Sequence, residues 1–231
     1  MLFRSLVIGH SFVWRLNKFI TESTRPCIDR HFCLTDAASI SFHGIGGRTV
    51  DRLRDSDLHA VFSFKPTLLI LEIGSNDLCD PNLAVPDLAA NILRLIKTFH
   101  ITYQVPYIIV SQVLRRRRPP IMTPSYNNRV PHLNNVLHNL LKQVPFATLW
   151  FHLDLIRATT NVFLPDGVHL NDNGNHLLYH SYLKAILRTL HHADRCARRP
   201  NPRLSVSRRP SWHSRQRPAR STRSRQLPLS N

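Results

Sequence analysis

The run from Thr67 to Ile73 constrains the fold more than any other stretch of the chain. It is so apolar that a strand formed there must be covered on both faces, which is the situation of a strand inside a parallel sheet. Parallel neighbours are joined by crossover connections, usually helices, and the rest of the sequence supplies them. Short apolar runs at Leu6–Ile8, Ser39–Phe42, Tyr107–Val113 and Phe146–Phe151 read as four more strands. Between and after them, 12–20, 49–62, 88–99, 125–144 and 173–190 carry apolar residues at helical spacing, with Phe12, Leu16, Phe19 and Ile20 as one example. This alternation predicts an α/β fold, a three-layer α/β/α sandwich around a mostly parallel, flavodoxin-like five-stranded sheet.

Sheets of this kind place ligands at the carboxyl ends of their strands, so the chemistry is sought in the segment after each strand. After the first comes Gly9-His10-Ser11, with a helix following at once. A serine there is either an N-cap or a nucleophile near backbone N–H groups that favour developing negative charge. After the second comes His43-Gly44-Ile45-Gly46-Gly47-Arg48-Thr49, where glycine lets the backbone approach a ligand or simply turn. After the third comes Gly74-Ser75-Asn76-Asp77, in which Asn76 offers an uncharged amide donor for an oxyanion, or else turn chemistry. Late in the chain stands Asp166-Gly167-Val168-His169, an acid placed to orient an imidazole that acts as base.

These four blocks, in this order and on these elements, resemble the SGNH (GDSL-type) hydrolase superfamily from about Phe3 to Leu190. The resemblance implies a serine ester hydrolase with Ser11 as nucleophile, His169 as base and Asp166 as its partner. It implies an oxyanion hole from Ser11, Gly44 and Asn76, with no cofactor and no metal, and a small ester as substrate. The G-x-S-x-G elbow of the α/β-hydrolases is absent. The first block of the family usually reads Gly-Asp-Ser, whereas position 10 here is His, next to the nucleophile. That change is expected to loosen the loop or alter local pKa values. The Gly-His-Ser variant looks like a subgroup of animal SGNH-like proteins, some of them retroelement-associated. The other function class is therefore a non-catalytic protein of this fold with a nucleic-acid role.

Charge bears on that second class. The chain of 231 residues has a net charge of +17, but the stretch from Arg195 to Asn231 holds 11 Arg and no acid. The expected division is a folded domain over 1–192 and a disordered Arg/Ser/Pro-rich tail over 193–231. Arg208, Arg209, Arg215 and Arg217 of the tail, and the run Arg115, Arg116, Arg117 and Arg118 after the fourth strand, are candidate polyanion contacts. Basic clusters of this type also read as nuclear-import signals. With no apolar run near the ~18 residues of a membrane span and no signal-peptide form, the expected location is cytoplasmic or nuclear. His176 and His180 stand four apart on the last helix, a spacing that suits zinc but equally suits a helix surface. The four cysteines form no CxxC pair.

Overall fold

A computed structural model describes residues 2–198, without the side chains of 54–56. The five strands are β1 (Phe3–Gly9), β2 (Ala38–Gly44), β3 (Leu68–Glu72), β4 (Tyr107–Ser111) and β5 (Ala147–Trp150). They lie in the order β2-β1-β3-β4-β5, and every neighbouring pair is parallel. The helices are α1 (Ser11–Glu22), α2 (Val50–Ser56), α3 (Leu58–Phe64), α4 (Val85–Ile101), α5 (Tyr126–Leu141), α6 (Leu153–Ile156) and α7 (Asp172–Ala197).

All five β3 residues are buried, and their alternation feeds two cores. Leu69 and Leu71 join Leu6, Ile8, Ile108 and Val110 on the face covered by α2, α3, α4 and α5. Leu68 and Ile70 join Val7 and Ile109 on the face covered by α1 and α7. The predicted three-layer sandwich is thus the observed fold. The chain runs outward in opposite directions from β1 and β3, so the order reverses between them, and sheets of this kind place ligands at the carboxyl ends of such a strand pair.

Two details differ from the sequence reading. The helix expected over 49–62 is two helices, broken at Asp57, whose carboxylate turns inward to Arg48 at 2.7 Å and to His43 at 3.2 Å. Finally, α7 continues through Ala197, past the expected domain boundary at 192, while Arg208, Arg209, Arg215 and Arg217 lie outside the described residues. Among the described residues no helix is long and apolar enough to cross a membrane.

Candidate active site

Ser11 is the first residue of α1, directly beyond β1. Its Oγ lies 3.1 Å from His169 Nε2, and His169 Nδ1 lies 2.7 Å from Asp166 Oδ2. The loop carrying the last two is closed on itself. Asp166 Oδ1 accepts the backbone N–H groups of Val168 and His169 at 2.8 and 2.9 Å, and Phe163 bridges to Leu170. Burial would raise the Asp166 pKa, but the His169 ring and the two backbone donors outweigh it and hold the carboxyl at about 2. An ionised Asp166 can only accept, so the imidazole proton sits on Nδ1, which leaves the Nε2 lone pair facing the Ser11 hydroxyl.

The third block follows β3, the neighbour of β1. Asn76 Nδ2 donates to the Arg48 carbonyl at 2.9 Å, and Asp77 Oδ1 accepts from Val50 N at 2.9 Å, so the turn after β3 is tied to the start of α2. Arg48 is buried, and its guanidinium holds the carbonyls of Gly9 and His43 at 2.8 and 2.9 Å, fixing the ends of β1 and β2 together. Gly44 pairs with Gly9 at the end of the ladder and packs on α1: a Cβ there would stand 2.2 Å from Trp14 N. Gly47, which sequence reasoning did not single out, precedes Arg48 and has φ +69°, a value that glycine adopts readily. Its place beside the residue that receives the Asn76 amide marks it as a further backbone donor candidate. The signal was present in the Gly-Gly-Arg-Thr stretch.

His10 occupies the N-cap of α1, and its Nδ1 accepts the Phe12 N–H at 3.4 Å. The cap role open to the more usual Asp is therefore filled by a neutral ring. Burial lowers the His10 pKa to about 4, outweighing the attraction of Glu72, whose Oε1 lies 3.7 Å from His10 Nε2. Glu72 is the residue that the sequence reading missed. It ends β3, fully enclosed, and accepts from Tyr182 Oη, with His152 Nε2 at 3.8 Å. Ser181 joins the same cluster at 2.8 Å from His152 Nδ1. Burial alone would raise the Glu72 pKa, but the nearby His152 and His10 rings and the Tyr182 hydroxyl lower it. A buried carboxylate thus lies beneath the loop that bears Ser11.

The His10 shift gives a pH prediction. The folded pKa of about 4 lies below the ordinary 6.5, so the unfolded chain binds the extra proton first as pH falls. Stability is full above 6.5 and declines as pH falls through the window down to about 4, by on the order of 3 kcal/mol. Chemical denaturation of the wild type and of His10→Asn across that window checks it. The variant should lack this component, and parallel curves would refute it.

Of the other sequence candidates, Arg116 reaches the site's edge, where its Nη2 donates to the Ser75 carbonyl at 3.3 Å and its guanidinium stacks over Tyr126 at 4.5 Å. Arg115, Arg117 and Arg118 are exposed, although the backbone N–H groups of Arg117 and Arg118 both donate to the Gly167 carbonyl. His176 and His180 lie against each other, with Nε2 atoms 3.2 Å apart, and among the described residues no third His, Cys, Asp or Glu completes a metal set.

A parallel α/β/α sandwich with a Ser–His–Asp line at its switch point is the arrangement of the SGNH-type folds. Residues 23–177 match the GDSL-like lipase/acylhydrolase family, and the chain belongs to that family. The matched stretch contains Gly44, Asn76, Asp166 and His169 and begins after Ser11. No curated protein matches the chain significantly. Among solved structures, a GDSL-like lipase from Bacteroides thetaiotaomicron superposes with a TM-score of 0.64 at 16% identity, covering 80% of this chain and 88% of that one. A catalytic mutant of an acetylxylan esterase from Geobacillus stearothermophilus does so at 0.58 and 16% identity, covering 79% and 93%. At these identities the likeness is one of fold.

Proposed function

We propose that the chain is a serine-dependent ester hydrolase working through an acyl-enzyme on Ser11. The observation that carries this reading is the unbroken line from Ser11 Oγ through His169 to the ionised Asp166. Ser11 Oγ attacks the ester carbonyl as its proton passes to His169 Nε2, and Asp166 offsets the charge on the imidazolium. The proposed oxyanion donors are the N–H of Ser11, the Asn76 amide, and a backbone N–H of the turn that contains Gly44 and Gly47. Collapse of the tetrahedral species expels the alcohol, which takes the proton from His169. A water activated by the same base then releases the acid and restores Ser11. No cofactor or metal enters these steps.

The His at position 10 and the 11 arginines after residue 194 favour a second reading. In it the chain is a non-catalytic member of the fold, of the retroelement-associated animal subgroup, that binds nucleic acid without sequence preference through its basic tail. A cytoplasmic or nuclear location belongs to either reading. One experiment separates them: a serine-directed fluorophosphonate should label the wild type and leave Ser11→Ala unlabelled. Equal labelling of both would overturn the Ser11 assignment, and a folded wild type that takes no label would favour the second reading.

A further inference from the structure

The segment that follows β4 is held at three places and projects between them. Asn127 clamps the Arg116 backbone, accepting its N–H at 2.8 Å and donating to its carbonyl at 2.7 Å. Arg117 and Arg118 are tied to Gly167, between Asp166 and His169. Thr123 is buried and its Oγ1 donates to the Cys79 carbonyl. The remaining residues form a turn, closed by Thr123 N donating to the Pro120 carbonyl at 3.0 Å, with Ile121 and Met122 at its two central positions. Their side chains are 93% and 81% exposed, the highest values among the exposed large apolar residues of the described chain. This exposure is therefore imposed by an anchored turn, because both flanks are pinned by hydrogen bonds.

Two apolar side chains held in water beside Arg115, Arg117 and Arg118 match one environment better than any other. An anionic bilayer surface offers phosphates to the guanidinium groups and an acyl boundary to the aliphatic tip. Charge complementarity supports this choice: four arginines stand together at 115–118 in a stretch with no acid between Asp87 and Asp154, and the neighbouring Asp166 is paired with His169. A nucleic-acid strand would engage the arginines, but it would take Ile121 and Met122 only by unstacking bases, at a cost that a bilayer surface does not impose. We propose that the 115–122 loop docks on anionic lipid and seats the rim of the Ser11 site against the membrane surface. The part of this that concerns substrate delivery rests on the ester-hydrolase reading; the docking itself does not.

Partition of the full chain onto vesicles of phosphatidylcholine, with and without phosphatidylserine, tests it. The wild type should prefer the anionic vesicles, and salt should weaken that preference. Ile121→Asp/Met122→Asp should lower the partition coefficient on anionic vesicles at least tenfold, because aspartate removes the insertable tip and adds repulsion. Arg115→Gln/Arg117→Gln should lower it about tenfold or more at low salt, by the loss of two cationic contacts. Because partition coefficients multiply, a contribution of the basic tail does not mask either change. Unchanged partition of the Ile121/Met122 variant would overturn the proposal. So would an arginine variant that loses vesicles and single-stranded oligonucleotide alike while the apolar variant loses neither, since the loop would then be a general polyanion site. Ser11→Ala should bind vesicles as the wild type does, and the Ile121/Met122 variant should hydrolyse a water-soluble short ester as the wild type does. If no variant or wild type hydrolyses ester but the tip substitutions still release the vesicles, docking stands and the hydrolase reading falls.

Discussion

Replacing His169 by alanine is expected to lower kcat for a short activated ester by about 10⁴-fold or more, with little effect on KM. The reason is positional. His169 Nε2 is the one base in contact with Ser11 Oγ among the described residues, and without it the hydroxyl must lose its proton to water while the attack proceeds. What survives is the rate supplied by binding and by the oxyanion donors, a residual of roughly 10³–10⁴ over the uncatalysed reaction. The ring is about a quarter exposed, so its loss should not unfold the chain, and a circular-dichroism melt serves as control. A variant that keeps a tenth or more of the wild-type rate would show that Ser11 is not activated through this histidine.

The second large effect is on stability. Glu72→Ala should destabilise the fold by about 2–4 kcal/mol, since it leaves buried polar groups without their acceptor and opens a cavity. For a domain of this size that corresponds to a melting point lower by roughly 10 °C. The carboxylate accepts from Tyr182 and faces His10 and His152, all deeply buried, so alanine leaves three polar groups and a void inside the sheet. The sign of the pH dependence follows from the lowered Glu72 pKa. Its contribution is present above the ordinary value of 4.5 and is lost as pH falls below it. Thermal denaturation at neutral pH decides the matter, and a change under 1 kcal/mol would mean that solvent or a rearranged neighbour replaces the carboxylate at little cost.

These two residues were unequally visible in the sequence. His169 stood three positions after an acid in a loop late in the chain, and spacing was enough to suggest its partner. Glu72 sat inside the apolar run that most constrained the fold, where a single acid was absorbed into the strand pattern. Its role depends on Tyr182 and His152, which arrive from α7 and from the segment after β5. Such pairings have no local signature. The same limit explains the break at Asp57, because the helical spacing over 49–62 is genuine and the carboxylate's partners, Arg48 and His43, lie outside that stretch. The His10 substitution was visible in the sequence; that its ring caps α1 and faces Glu72 was not, because Glu72 arrives from another strand. The parallel sheet and its layers, by contrast, followed from apolar runs alternating with helical stretches, a pattern that acts within a few dozen residues.

The contact between Ser11 and His169 spans 158 positions, and this separation governs when the site can exist during synthesis. A ribosome releases Ser11 first and His169 only after every strand of the sheet has left the tunnel. Until the segment from Asp166 to α7 docks against α1, a nascent chain holds a serine with no base and a β3 carboxylate with no Tyr182. Catalytic competence should therefore appear in one late step, as the closing event of folding, and chains interrupted before residue 166 should carry none of it.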